Sequence, residues 1–305
     1  MDVIGKLKNG KTAMNEAARN SGILVEMDIG TRKKLQATLL EMYKDVKSVC
    51  DRHGIVLYVI GGSALGAVRH KGFIPWDDDM DLSMTRRDYR RFCEIFEDEL
   101  SDKYILNAPN YSERAKNRFP RILKKDSYYR AVIDNDDDSL HCIFLDIFIL
   151  DNTPDNKIAR KLKGTVCNFL YIMSWEVFIF ENRNEEMKRF LLTSGKADYY
   201  VRVIIGGIFS FRKSYKWFNT FDKVMQHKNE SSRDCCLPTG RKRYFGEIMR
   251  REQWFPGVHE TFEGEDVLIF QDKDYYLRNL YGDYMQIPPE DKRERHTTCE
   301  IRFER

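Results

Sequence analysis

Asp79 and Asp81 stand in the stretch Asp79-Met80-Asp81-Leu82-Ser83-Met84, where polar and apolar residues alternate. In a strand this places Asp79, Asp81 and Ser83 on one face and Met80, Leu82 and Met84 on the other. Two carboxylates so placed repel each other unless a cation sits between them, and their hard oxygens suit Mg²⁺ or Mn²⁺. Upstream, Gly61-Gly62-Ser63 interrupts the apolar run Ile55–Ile60, and Ala64–Arg69 can open a helix with Ser63 near its cap. Glycines between strand and helix let backbone amides approach a ligand closely, and a helix N-terminus favours an anion there. A phosphate cradle followed by a metal-binding carboxylate pair points to phosphoryl transfer. Taken singly, Gly-Gly-Ser reads as a tight turn and Asp77–Asp81 as a solvated acidic loop. The acidic run, however, is bounded by Pro75-Trp76 and then alternates with apolar residues, which a solvated loop has no reason to do.

A further acid, Asp146, interrupts the apolar run Ile143-Phe144-Leu145-Asp146-Ile147-Phe148-Ile149-Leu150. A carboxylate buried there needs a metal, a basic partner or a raised pKa. The plainer alternative is an aspartate capping a loop at a sheet edge. Asp151, at the end of the run, reads as the start of the loop Asn152-Thr153-Pro154.

The string G-G-S-A-L-G-A-V-R-H-K-G-F-I-P-W-D-D-D-M-D, residues 61–81, closely resembles the signature of the LicD-family phosphotransferases, within the nucleotidyltransferase-fold superfamily. F-L-D-I-F-I-L-D (144–151) resembles the family's downstream acidic strand, and Y-G-D-Y-M-Q-I-P-P (281–289) with the following His296 resembles its C-terminal signature. The resemblance spans roughly residues 31–150 and 244–297. It implies that Asp146 joins Asp79 and Asp81 as a catalytic and metal-binding trio for Mg²⁺ or Mn²⁺. It also implies substrate contacts at Gly61, Gly62, Ser63, Arg69, His70, Asp78 and His296, with Trp76 and Tyr281 as an aromatic cage for a quaternary ammonium. The implied reaction moves phosphocholine, or a similar phospho-alcohol, from a CDP-choline-like donor to a hydroxyl of a cell-surface glycan precursor: lipopolysaccharide, teichoic acid or capsule. Two other readings are transfer of the nucleotide itself and an inactive glycan- or nucleotide-binding module. Keeping three mutually repelling carboxylates argues against the second.

The expected fold is α/β: a nucleotidyltransferase-like mixed sheet flanked by helices, with an additional helical lobe. From Thr31, Leu35, Leu39, Met42, Val46 and Val49 form one helical stripe that Gly54 ends. Thr85 caps a second helix, with Asp88 following and Tyr89, Phe92, Cys93, Phe96 and Leu100 on its buried face. Of Arg86, Arg87, Arg90 and Arg91, at least three are expected in solvent. Strands are expected at Tyr104–Leu106, Arg121–Lys124, Tyr128–Ile133 and Ile143–Leu150, with an exposed turn at Asn135–Ser139. These divide the chain into an arm (1–30), a catalytic core (31–154), a helical lobe (155–243) and a C-terminal segment completing the site (244–305).

The chain has 305 residues, 42% hydrophobic and 32% charged, with a formal net charge of +3. That is the balance of a globular protein and lacks a nucleic-acid-binding footprint. Seven cysteines without a zinc spacing fit a reducing compartment, and the first residues lack the apolar core of a signal peptide. The expected location is cytoplasmic. The lobe's apolar segments are too short to span a bilayer. The plainer reading of these segments is an ordinary helical lobe packing on the sheet. The alternative is peripheral contact at the inner face of a membrane through residues 199–213, which are aliphatic, aromatic and basic, with no acid, and carry Arg202, Arg212 and Lys213.

Overall fold

The computed structural model describes residues 27–131, 140–194, 196–290, 293 and 298–304, without the side chains of 193, 194 and 196–198. The arm up to residue 26, the turn at 135–139 and His296 lie outside the described residues.

Asp28 caps the first helix, α1 (Ile29–Arg52), by accepting from the Thr31 amide, so the helix begins inside the stretch read as an arm. Its stripe Leu35, Leu39, Met42, Val46 and Val49 is buried in the main core, and Gly54 follows with a positive φ of 59°. The apolar run after it pairs only at β1 (Tyr58–Val59), shorter than the expected strand because the chain passes at once into α2 (Gly61–His70). Next come β2 (Asp81–Thr85) and α3 (Arg86–Leu100), whose Thr85 cap accepts from the Asp88 amide as the sequence predicts. Strands β3 (Tyr104–Asn107), β4 (Arg121–Lys124), β5 (Tyr128–Ala131) and β6 (Phe144–Asn152) follow.

Helices then dominate: α4 (Lys157–Glu181), α5 (Glu185–Ser194), α6 (Lys196–Phe209) and α7 (Ser214–Met225). The chain returns to strands at β7 (Asp234–Cys236), β8 (Ile248–Arg250), β9 (Val258–Phe262) and β10 (Glu265–Ile269). It continues through α8 (Lys273–Tyr281), ended by Gly282 at φ 72°, to β11 (Thr298–Arg302).

The architecture is mixed α/β. The central sheet runs β3-β4-β6-β2-β1-β10-β9, with β7 and β8 continuing from the end of β6. Its β2–β6 and β1–β10 pairs are parallel and the others antiparallel. Met80, Leu82 and Met84 are fully buried in the core with the α1 stripe.

A buried ion cluster joins the sheet to the helices after it. Arg86 of α3 donates from Nε and Nη2 to both oxygens of Asp151 (3.0 and 2.7 Å) and from Nη1 to Asp222 Oδ1 of α7 (2.6 Å). Asn110 Nδ2 donates to the other Asp222 oxygen at 2.8 Å. Asp151 is therefore not the start of a loop: it lies inside β6, fully buried, because Arg86 neutralises it. Arg87 and Arg90 are exposed and Arg91 half-exposed, as expected, and Arg86 is the exception. Among the described residues no helix is long and apolar enough to cross a membrane.

Candidate active site

The turn after β1 is stitched to the start of β2. Ile60 is the N-cap of α2 and no side chain caps the helix, which begins at Gly61 rather than after Ser63. Ser63 lies instead in the first turn, buried, where its Oγ accepts from the Asp81 amide at 3.0 Å. The Ile60 amide donates to the Asp81 carbonyl, also at 3.0 Å.

Gly61 adopts φ +56°, a conformation that side chains disfavour. A Cβ there would lie 2.4 Å from Asp81 Oδ2, and one on Gly62 would lie 2.9 Å from Asp77 Oδ2. The glycines thus let two carboxylates lie against the opening turn of a helix, whose amide end favours negative charge. The Gly61 amide donates to the Tyr276 hydroxyl of α8 at 3.2 Å.

Asp81 and Asp146 are cross-strand partners in the parallel β2–β6 pair. Asp79 sits just before β2 rather than in it. On its other side β6 pairs with β4, which sets Arg121 opposite Asp146, and Arg121 Nε donates to Asp146 Oδ1 at 2.6 Å. Burial raises the Asp146 pKa above that of an ordinary aspartate, against the charge and hydrogen bond of Arg121. The sequence left a metal, a basic partner or a raised pKa open for Asp146, and the last two are both present.

These groups border a cavity of about 540 Å³. Of the residues singled out from the sequence, Gly61, Gly62, Arg69, Trp76, Asp79, Asp81, Asp146 and Tyr281 line it. Ser63, His70 and Asp78 do not. Ser63 is turned to the Asp81 backbone, and His70 accepts from Arg69 Nε at 3.0 Å. Burial and the neighbouring Arg69 push the His70 pKa below its usual 6.5. The ring is therefore neutral at pH 7, and the positive charge here belongs to Arg69. That guanidinium is fixed by the carbonyls of Tyr284 (2.6 Å) and Gln286 (3.2 Å), which ties α2 to the segment after α8.

Sequence reading missed several lining residues: Asp77, Phe119, Phe148, Tyr171, Arg241 and Glu247. Asp77 carried a signal, since it opens the acidic run. Phe119 and Phe148 stack with centroids 4.8 Å apart. The rings of Trp76 and Tyr281 each already carry a guanidinium, from Arg293 at 4.2 Å and Arg241 at 5.0 Å. Both are thus placed to accept a cation on a face.

The oxygen donors Asp79, Asp81 and Asp146 are of the type a hard divalent cation takes, and two of them are in register on adjacent strands. In their present rotamers no three carboxylate, histidine or cysteine side chains among the described residues converge as a cation cage, and Arg121 engages Asp146. The donor chemistry is that of a hard cation's ligands.

The LicD family, described as LicD/FKTN/FKRP, nucleotidyltransferase domain, matches residues 54–161. Over 289 aligned residues the chain is 25% identical to the lipopolysaccharide cholinephosphotransferase LicD of Haemophilus influenzae, covering 87% of this chain and 96% of that protein. Residues 54–161 thus match the LicD family, and the similarity to one of its members runs over most of the chain. A shorter likeness, 35% identity over 63 residues, joins it to an uncharacterized protein of Rickettsia typhi and covers 21% of this chain and 20% of that one. The span matched to the LicD family contains the Gly61–Asp81 string, Arg121 and Asp146. Arg241, Glu247, Tyr276 and Tyr281 lie beyond it and complete the cavity wall.

Proposed function

We propose that this protein transfers phosphocholine, or a similar phospho-alcohol, from a CDP-linked donor to a hydroxyl of lipopolysaccharide or another cell-surface glycan precursor. The observation that carries the reading is the register of Asp81 with Asp146, with Asp79 and the Gly61-Gly62 turn on the same cavity. The name of the Haemophilus relative supports choline as the alcohol and lipopolysaccharide as the acceptor.

Asp79, Asp81 and Asp146 would hold Mg²⁺ or Mn²⁺. Bound there, the ion would neutralise the diphosphate and stabilise the leaving nucleotide. Arg69 and Arg241 line the cavity and add positive charge for phosphate oxygens. The acceptor oxygen bonds to the phosphorus bearing the alcohol, the bridging phosphorus–oxygen bond breaks, and CMP departs with the bonding pair. Asp146 orients the acceptor hydroxyl and takes its proton. Trp76 and Tyr281 would face a quaternary ammonium.

The test is to offer CDP-choline and other nucleotide-activated alcohols, each with Mg²⁺ and a glycan acceptor, and follow the acceptor mass. A gain of one phospho-alcohol from a CDP donor supports the reading. No gain with any donor overturns it.

A further inference from the structure

On α4, Ile158, Leu162 and Phe169 fall on one helical face, and on α6 so do Ile204 and Ile208, with Phe211 just beyond. Large aliphatic and aromatic side chains normally seek the core, yet Ile158, Leu162, Ile204, Ile208 and Phe211 are 81, 66, 61, 65 and 78% exposed. The two helices form one surface. Phe169 meets Phe209 at 6.0 Å, and Phe209 meets Phe211 at 6.4 Å. Gly206 of α6 backs so closely onto α4 that a Cβ would lie 2.1 Å from the Glu176 carbonyl. Exposed apolar surface gathered in this way marks a contact site.

Charge decides the occupant. Residues 157–175 and 199–213 contain no aspartate or glutamate. Exposed Lys157 and Lys161 stand beside the apolar residues of α4, and exposed Lys216 follows the α6 segment, whereas Lys213 pairs with Glu181 at 3.6 Å. Arg202, counted with this set from the sequence, leaves it, because it donates to buried Glu176 at 2.7 Å. A second copy docked by two-fold symmetry would bring the lysine rim against itself. An anionic lipid surface satisfies both features, taking the apolar side chains below the headgroups and pairing the lysines with them.

We propose that the α4–α6 face seats the protein on an anionic bilayer surface. The contact lies in the plane of the interface and uses α4 as well as the 199–213 segment. It requires neither donor nor acceptor, so it stands or falls separately from the chemistry proposed above.

The test is flotation of the full chain with vesicles of phosphatidylcholine alone or mixed with phosphatidylglycerol, at low and high salt. Binding is expected to the mixed vesicles only, weakening as salt rises. Leu162→Glu with Ile208→Glu should weaken it at least ten-fold while leaving the thermal melt unchanged, since both residues are exposed. Lys161→Glu with Lys216→Glu gives a second variant that spares the apolar face and should also weaken binding. No flotation at low salt, equal binding to neutral vesicles, or undiminished binding by both variants would overturn the proposal. So would a dimer in solution that Leu162→Glu/Ile208→Glu dissolves, because the face would then belong to a second copy.

Discussion

Arg121 and Asp146 face each other across the antiparallel β4–β6 pair, with Arg121 Nε donating to Asp146 Oδ1 at 2.6 Å. Burial pushes the Asp146 pKa up and Arg121 holds it down, with burial prevailing. Arg121→Gln removes the opposing charge, so the Asp146 pKa of the metal-free protein should rise further, read from its carboxyl carbon shift in an NMR titration. The linked stability effect has a definite sign. The folded state holds this proton more tightly than the unfolded chain does, so the group's contribution falls as pH rises from 3.8 to the folded pKa. Asp146→Asn should remove that decline in thermal melts taken across the window.

Asp79→Asn and Asp81→Asn should each reduce turnover on the order of 10²–10³-fold or more, since each removes a charge from the proposed cation site. Both chains should fold, because relieving repulsion among carboxylates does not weaken the sheet. Near-normal turnover in both variants at saturating Mg²⁺ would dismiss the assignment.

Gly61→Ala puts a methyl where Asp81 Oδ2 now lies, on a backbone at φ +56°. The strain is about 1–2 kcal/mol, and the larger effect should be displacement of the Asp81 carboxylate. Turnover should therefore fall well beyond what the lowered melting temperature explains. Gly62→Val would push instead on Asp77 and should weaken binding of the nucleotide donor in a calorimetric titration.

Arg86→Met leaves Asp151 and Asp222 buried without their cation. Removing one partner from such a cluster costs about 3–5 kcal/mol. Chemical denaturation should show a loss of that size, and a loss under about 1 kcal/mol would mean that the carboxylates find other partners or take up protons.

What could be read from the sequence was what neighbouring residues decide. The Thr85 cap, the α1 stripe and the Gly282 stop depend on spacing within one helix, and each lies where the spacing puts it. Asp81 and Asp146 could be singled out because each interrupts or alternates with apolar residues. What stayed hidden depends on pairing across the sheet or between distant segments. Nothing near Asp151 announces that Arg86 will neutralise it, nor does anything near Asp146 announce Arg121. Ser63 looked like a cap because serine commonly is one, but the Asp81 amide claimed its hydroxyl. The aromatic cavity wall from Phe119, Phe148 and Tyr171 was equally silent, since aromatic residues in strands and helices read as core.

The most direct test of the central claim is the identity of the small product released when the protein turns over CDP-choline with Mg²⁺ and a glycan acceptor. Attack on the phosphorus that bears choline releases CMP and leaves phosphocholine on the acceptor, and this is the predicted result. Release of phosphocholine, with the cytidylyl group on the acceptor, would contradict it.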